Sequence, residues 1–437
     1  MNSIWNNSVS TMSLRAGCVA AAFAAAVFGA VAPASAEDVT IKVLNWQPGG
    51  PDYWTALVKA FEAENPGIKV ELETVPFDRY PEVQGPYIAT KSGPDVMQNN
   101  SGLELYDRRS AYMQLPADLV TSAGTDLITY SGGCLNFDLN QACYGLPFGY
   151  QGNVMYYNKA VLKEAGLDPA SPPKTWDEMD AACKAVSAIG KTCLAHGMTG
   201  VFPTYWNFPE VARNYLTEDD MRAVLAGDMP WTDPKMKSIL EAMASIGKRG
   251  WINSNSPSIS MLPDGADIFS SGNAAFASTI IADAVNWQAF GAALGDENVG
   301  AMRWPVLVAD APLADRFSGV ESAVFGVASW SDKQDAGLKF VKFIAGKTNG
   351  DLLTSLGGGI PLNKNVDQSL FPKSAALEQI REIIKSPTLH VGVLLSGQEA
   401  DALARGWQEV TLDRMTVDEW VARMQVALEE SPGKSDE

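Results

Sequence analysis

Residues 39–72 read VTIKVLNWQPGGPDYWTALVKAFEAENPGIKVEL, and this stretch indicates the class of fold. Apolar and polar side chains alternate over 39–43 and again over 68–72, which is the pattern of a half-buried strand. Between these two segments, apolar residues recur at helical spacing from Trp54 to Phe61, and Asn65-Pro66-Gly67 ends the helix. Strand, helix and strand in this order predict a βαβ unit with parallel strands. We therefore expect an α/β fold.

Later segments continue the alternation of helices and strands. Thr175-Trp176-Asp177-Glu178 and Thr416-Val417-Asp418-Glu419 have the form of capping boxes, in which Thr and Glu satisfy backbone N–H groups at a helix start. We expect a helix to begin at each of them. The length of 437 residues favours more than one lobe.

Composition excludes several classes of function. The chain has 51 acidic and 33 basic residues and a formal net charge of −18, and no cluster of Lys or Arg interrupts this acidic balance. Such a surface would repel a phosphate backbone, so nucleic-acid binding is not expected. The two histidines, His196 and His390, leave little material for a histidine metal site or catalytic centre. No metal and no cofactor are predicted.

The N-terminus has the pattern of a cleavable signal peptide. Arg15 precedes an apolar run over residues 16–32, and Ala34-Ser35-Ala36 supplies an Ala-x-Ala processing site. A membrane anchor is the competing interpretation, but the run is mostly alanine and lies near the lower length limit for crossing hydrocarbon. We predict export to the periplasm with cleavage after Ala36. Whether the chain starts at Met1 or Met12 stays open.

Four cysteines remain once the predicted signal peptide, residues 1–36, is removed: Cys134, Cys143, Cys183 and Cys193. An even number in an oxidising compartment predicts two disulfides. Pairing of sequence neighbours, Cys134 with Cys143 and Cys183 with Cys193, is the simplest of the possible connectivities. A four-thiolate zinc site is the alternative, but it favours closer C-x-x-C spacing.

Aromatic residues give a more positive signal than any catalytic motif. No G-x-S-x-G, H-E-x-x-H or EF-hand pattern occurs. Instead, Trp residues stand beside amides in Asn45-Trp46-Gln47, Tyr205-Trp206-Asn207 and Asn286-Trp287-Gln288. Sugar rings stack on aromatic faces and bond amides through their hydroxyls, so these groups suit a carbohydrate site. For any single Trp, core packing is the favoured interpretation, but it is weaker for Trp46, which ends a strand.

Motifs spread over nearly the whole chain resemble one family. They are FEAENPGIKV at 61–70, GPDV at 93–96, YGLPF at 144–148, VMYYNK at 154–159, PPKTWDE at 172–178 and FSSGNAAF at 269–276. Together they resemble the periplasmic solute-binding proteins of ABC sugar importers, family 1, the maltose-binding-protein-like group. The resemblance implies a two-lobe fold of the type II periplasmic-binding-protein class, with hinge crossings and a ligand cleft between the lobes.

The resemblance also implies how the chain is divided. Hinge crossings are expected near residues 147–152, 275–280 and 325–329. The first lobe would comprise 37–148 plus 279–326, and the second lobe 149–278 plus 327–437. Gly149 and Gly152 flank the first crossing, where the backbone must absorb a bend.

The same resemblance places ligand contacts at particular residues. Aromatic contacts are expected from Trp46, Tyr205, Trp206 and Trp287, and hydroxyl-binding contacts from Gln47, Asn99, Asn100, Gln151 and Asp283. Tyr150, Glu321 and Gly358 complete the expected site. Gln151 departs from the family pattern, because the maltose-binding relative has an acidic residue there.

We expect a binding protein without enzymatic activity. It would capture a mono- or oligosaccharide, or a polyol, by hinge closure in the periplasm and deliver it to a membrane permease, acting as a monomer. A secreted carbohydrate-active enzyme is one alternative, because aromatic clefts with carboxylates also suit glycoside hydrolysis. The same fold binding a non-sugar solute is the other. The identity of the sugar stays open.

Overall fold

The computed structural model describes residues 38–46, 50–76, 79–128, 133–134, 140–200, 202–281, 287–357, 359–390 and 395–431. The strands are β1 (Val39–Asn45), β2 (Ile68–Thr74), β3 (Val96–Asn99), β4 (Leu146–Pro147), β5 (Tyr150–Asn158), β6 (Thr192–Ala195), β7 (Ala274–Ile280), β8 (Val299–Met302), β9 (Phe317–Glu321), β10 (Val324–Val327) and β11 (Thr388–His390).

The α-helices of the described residues are α1 (Gly50–Glu64), α2 (Tyr80–Thr90), α3 (Leu103–Asp107), α4 (Ala117–Asp126), α5 (Lys159–Glu164), α6 (Trp176–Ala188), α7 (Phe202–Ala212), α8 (Glu218–Ala226), α9 (Pro234–Lys248), α10 (Ala266–Ser270), α11 (Trp287–Leu294), α12 (Gln334–Ile344), α13 (Lys347–Leu352), α14 (Ala375–Ile383), α15 (Gly397–Thr411) and α16 (Val417–Glu429). Short 3₁₀ and π-type helices connect some of them.

The N-terminal stretch forms one side of the first sheet, whose strand order is β2-β1-β3-β10-β4. β1 pairs in parallel with β2 along its whole length, from Val39 opposite Ile68 to Asn45 opposite Thr74. The connecting helix α1 buries Trp54, which stacks on Phe148 with ring centroids 5.8 Å apart. The predicted βαβ unit is confirmed. β10 is antiparallel to both β3 and β4, so the sheet is mixed.

The second sheet is built around the long strand β5. Its strand order is β11-β9-β5-β7-β6, and β8 also pairs with β5. β7, β8 and β9 are all antiparallel to β5, whereas β6 runs parallel to β7 and β11 parallel to β9. Every residue of β7 is buried, because this central strand is covered on both faces. The α/β class predicted from the sequence is confirmed.

The chain passes between the two sheets at two short connections. The first lies between Pro147, the last residue of β4, and Tyr150, the first residue of β5. The second lies between Glu321 at the end of β9 and Val324 at the start of β10. Each connection therefore joins a strand of one sheet to a strand of the other: β4 to β5, and β9 to β10.

This pairing differs from the division implied by the resemblance. The segment 279–326 was expected in the first lobe, but β8 and β9 pair with β5 in the second sheet. The segment 327–437 was expected in the second lobe, but α12 packs on β10 and β1 of the first sheet. Strand partners are chosen by hydrogen bonds between distant segments, and local sequence motifs do not encode that choice.

The predicted helix starts and the predicted disulfides are found in the structure. α6 and α16 begin with complete capping boxes at Thr175 and Thr416, as predicted. Two disulfides join the predicted neighbours: Cys134 to Cys143, and Cys183 of α6 to Cys193 of β6. Within the described residues, no helix has both the length and the apolarity to cross a bilayer. The predicted signal peptide, 1–36, lies outside the described residues.

Candidate functional site

The carboxyl ends of β1 and β3 carry a connected set of polar side chains. Trp46 follows β1, and its backbone N–H donates to the side chain of Gln98 at 3.0 Å. The Trp46 ring is half-buried and packs edge-on against Tyr80, with centroids 4.8 Å apart. Open α/β sheets bind ligands at this edge, so Trp46 lies where a contact is expected.

Asn99 ends β3 but is held inside the protein. It is fully buried, its Nδ2 donates to the Tyr112 hydroxyl at 2.5 Å, and its Oδ1 accepts from Gln84 at 2.9 Å. Gln84 also donates to the Tyr112 hydroxyl, at 2.9 Å. In this conformation the Asn99 amide is therefore hydrogen-bonded to Gln84 and Tyr112, and these bonds stabilise the carboxyl end of β3.

The next residue, Asn100, points to a charged pair on α3. Its Nδ2 donates to Glu104 Oε2 at 2.7 Å. Glu104 forms an ion pair with Arg108, whose guanidinium also donates to Gln84 Oε1 at 2.8 Å. The Glu104 and Arg108 side chains are 25% and 28% exposed, so both stay within reach of a ligand.

The two sheets meet beside this pair. The Ser101 hydroxyl donates to the backbone carbonyl of Glu321 at 3.0 Å, which joins the segment after β3 to the end of β9. Glu321 lies opposite Tyr150 in the β5–β9 register, and Gln151 lies opposite Val320. The predicted residues Tyr150, Gln151 and Glu321 are thus brought together at the passages between the sheets.

α7 brings one of its two predicted aromatic contacts, Tyr205, to the same region. Burial raises the pKa of the Tyr205 hydroxyl, the Glu104 carboxylate raises this pKa further, and the Arg108 guanidinium lowers it. The phenol of α7 therefore lies within electrostatic reach of the ion pair on α3. Trp206, the next residue, is 7% exposed, and its carbonyl accepts from Asn153 Nδ2 at 2.9 Å. Its ring belongs to the core of the second sheet.

The remaining predicted contacts are one buried tryptophan and three residues outside the described part of the chain. Trp287 begins α11 and is 3% exposed, in the same apolar cluster as Tyr156 and Phe290. It therefore packs as a core residue in this conformation. Gln47, Asp283 and Gly358 lie outside the described residues.

The groups collected here are suited to hydrogen bonding and stacking. They comprise amides, a carboxylate, a guanidinium, a phenol and an indole. His196, the one histidine whose side chain is described, is buried in the core of the second sheet, where Asn207 Nδ2 lies 2.6 Å from its Nε2. Within the described part of the chain, no group of three or more His, Cys, Asp or Glu side chains is arranged to hold a metal ion.

Comparison with known sequences now gives the family. The sequence model of the bacterial extracellular solute-binding protein family matches residues 56–379, which is more than half of the chain. The chain belongs to this family. The resemblance drawn from the motifs is confirmed, and membership places the protein among binding proteins that work outside the cytoplasmic membrane.

Curated relatives match parts of this solute-binding protein. A binding protein of Brucella abortus is 28% identical over 176 residues, which is 38% of this chain and 40% of the relative. An sn-glycerol-3-phosphate-binding periplasmic protein of Escherichia coli is 27% identical over 261 residues, 56% of each chain. The match thus spans less than two thirds of the length of these relatives.

Solved structures share the fold over most of the chain. A protein studied for xylan utilization by the thermophilic bacterium Caldanaerobius polysaccharolyticus superposes with a TM-score of 0.77 at 20% identity, covering 89% of this chain and 99% of the other. A maltose-bound protein of T. maritima gives a TM-score of 0.71 at 18% identity, covering 90% and 99%. The two-lobe solute-binding fold predicted from the sequence is confirmed.

Sequence reasoning missed three residues of this candidate site: Gln84, Glu104 and Arg108. A signal for two of them was present, because Glu104 and Arg108 stand four residues apart in the sequence. A carboxylate and a guanidinium at this spacing share one helix face. Gln84 gave no comparable signal, since its role depends on the packing of α2 against β3.

Proposed function

We propose that the protein captures an uncharged carbohydrate or polyol between its two lobes and delivers it to an ABC permease without changing it chemically. The site combines a half-exposed indole, Trp46, with the phenol of Tyr205 and the polar groups around Glu104. Aromatic faces suit sugar C–H surfaces, and amide and charged groups suit hydroxyls. Structural relatives include a maltose-bound protein and a chitin oligosaccharide binding protein, which supports this ligand class.

One observation carries the proposal: residues of both sheets meet at the same place. Ser101, which follows β3 of the first sheet, donates to the backbone carbonyl of Glu321 in the second, and the charges of Glu104 and Arg108 influence the pKa of Tyr205 on α7. A ligand held there would contact both lobes at once. Such contacts exist only in the closed arrangement, so ligand binding would shift the population towards it.

The passages between the sheets supply the hinge in this proposal. We propose a first lobe built on β1–β4 and β10 and a second lobe built on β5–β9 and β11. At Gly149, an added Cβ would lie 2.9 Å from Leu353 Cδ2 and 3.0 Å from the Ile360 carbonyl oxygen. Glycine therefore avoids a tight contact where the first passage approaches the neighbouring segment.

Export, cleavage after Ala36 and action as a monomer complete the proposal. Export is supported by the Ala-x-Ala site at 34–36 together with membership of an extracellular family. The absence of catalysis is supported by family membership and by the burial of His196, which is 1% exposed.

Thermal unfolding with and without ligand tests this function. The purified protein is heated alone and with maltose, xylobiose, N,N′-diacetylchitobiose, glycerol or sn-glycerol 3-phosphate at millimolar concentration. A ligand that binds only the folded state raises the melting temperature. We expect a rise with at least one uncharged compound, together with a smaller radius of gyration by X-ray scattering and unchanged sugar by chromatography.

Matched tyrosine variants sharpen this test. Tyr205 and Tyr215 are both half-buried and both pack against the core of the second sheet. Tyr205→Ala should abolish most of the ligand-induced rise, whereas Tyr215→Ala should keep it. Cleaved sugar products would contradict the proposal in favour of an enzyme, and a response to sn-glycerol 3-phosphate alone would contradict the uncharged ligand.

A further inference from the structure

Glu104 and Arg108 form the charged pair that the structure describes at the meeting point of the two sheets. Both are held from the protein side by amide side chains. Asn100 donates to Glu104 Oε2 at 2.7 Å, and the fully buried Gln84 accepts from Arg108 Nη1 at 2.8 Å. Because Gln84 also donates to Asn99 and to the Tyr112 hydroxyl, the pair is connected to a buried hydrogen-bond network.

The pair keeps bonding capacity for a ligand. Arg108 uses Nη1 for both Glu104 and Gln84, and within the described residues its Nη2 and Nε have no hydrogen-bond partner. A carboxylate accepts about four hydrogen bonds, and Glu104 receives those of Asn100 and Arg108. Glu104 can therefore accept further hydrogen bonds and Arg108 can donate further ones, and both side chains are partly exposed.

We propose that Glu104 and Arg108 form a charge-paired subsite that binds adjacent hydroxyl groups of an uncharged sugar and rejects a phosphate monoester. This inference rests on the proposed function. One hydroxyl donates to the carboxylate of Glu104 and its neighbour accepts from the guanidinium of Arg108, so two adjacent hydroxyls satisfy both partners. Hydrogen bonds to charged groups are among the stronger ones in proteins.

Charge explains the rejection of phosphate. The positive charge of Arg108 is already balanced by Glu104, and the carboxylate would repel a phosphate dianion in contact with it. None of the site residues predicted from the sequence is basic. The segments 47–49, 282–286, 358 and 391–394, which the structure does not describe, contain no Lys or Arg either.

Isothermal titration calorimetry of matched variants tests the subsite. The probe is whichever uncharged sugar of the panel above gives the largest thermal shift, with sn-glycerol 3-phosphate as the charged probe. Glu104→Gln keeps the shape but removes the charge, and Arg108→Lys keeps the charge but removes the fork of N–H donors. Each should weaken sugar binding about 10- to 100-fold.

Asp401→Asn is the control. Asp401 and Arg405 form an ion pair with the same four-residue spacing on α15, so this variant should bind sugar as the wild type does. Circular dichroism melting of each unliganded variant shows whether it has folded. If Glu104→Gln does not fold, Arg108→Lys decides the question by itself.

Two results would overturn the subsite alone: unchanged sugar affinity in folded Glu104→Gln and Arg108→Lys, or wild-type binding of sn-glycerol 3-phosphate as tight as that of the sugar. If no uncharged compound binds the wild type, the proposed function fails and the subsite fails with it.

Discussion

Lowering the pH from about 7 to about 4 should destabilise the folded protein through His196. The imidazole is 1% exposed, with Asn207 Nδ2 2.6 Å from Nε2, Ser256 Oγ 3.3 Å from Nδ1, and the Trp407 ring 5.2 Å away between centroids. These neighbours are an amide, a hydroxyl and an indole, none of which carries a charge. Burial therefore lowers the pKa of His196 from 6.5 to about 4.

The size and the sign of the effect follow from this pKa. A pKa unit corresponds to about 1.4 kcal/mol, so the decrease corresponds to about 3 kcal/mol of unfolding free energy. Between the two pKa values the unfolded chain binds a proton that the folded protein does not. The stability linked to neutral His196 is therefore fully present above about pH 6.5, and it decreases as the pH falls towards 4.

Urea unfolding of the wild type and of His196→Gln at several pH values measures this term. Groups unaffected by the substitution contribute equally to both proteins, so the difference in unfolding free energy isolates His196. We expect this difference to change by about 3 kcal/mol in favour of the variant as the pH is lowered from about 7 to about 4. A difference that stays constant over this range would refute the reasoning. So would an NMR titration of the folded protein that placed the His196 pKa near 6.5.

Two further predictions concern stability. Removing the second disulfide in Cys183→Ala/Cys193→Ala should lower the unfolding free energy by about 2–4 kcal/mol, because the unfolded chain gains freedom; the urea midpoint under oxidising conditions measures it. Arg213→Met should lower it by about 3–5 kcal/mol, because it leaves the carboxylate of Glu210 buried without its ion-pair partner. The double variant Arg213→Met/Glu210→Gln should recover part of that loss in the same assay, and no recovery would contradict this explanation.

The features predicted correctly from the sequence depend on neighbours along the chain. The βαβ unit follows from the periodicity of 39–72, and the capping boxes follow from residues three apart at Thr175 and Thr416. The disulfides join cysteines separated by 9 and 10 positions. In each case the physical cause lies within a short segment, so a single sequence contains the information.

The division of the chain between the sheets depends on distant partners and was not predictable in this way. β8 and β9 both pair with β5, although more than a hundred residues separate them from it in the sequence. A short apolar strand such as β10 reads much like β8, yet β10 pairs with β3 in the other sheet. Periodicity indicates that each segment is a strand and gives no indication of its neighbour.

The roles of single side chains in the candidate site were likewise not predictable from the sequence. Asn99 and Asn100 are adjacent amides at one strand end, and the sequence offered no basis for separating their roles. The structure separates them, because Asn99 is fully buried among protein partners while Asn100 supports Glu104. Neighbouring residues of a strand point to opposite sides, so at most one of the two faces any given surface.

The aromatic pair on α7 follows an analogous rule. Successive residues of a helix point about 100° apart, so one of Tyr205 and Trp206 faces the proposed ligand site more directly than the other. Asn207 fixes which one does, because its amide bonds His196 on one side and accepts from Ser278 at 3.1 Å on the other, both inside the core. Because Asn207 and Trp206 point into the core, Tyr205 is the one of the two aromatic residues that lies towards Glu104 and Arg108. A buried polar network thus leaves Tyr205 as the proposed aromatic contact, which composition alone could not indicate.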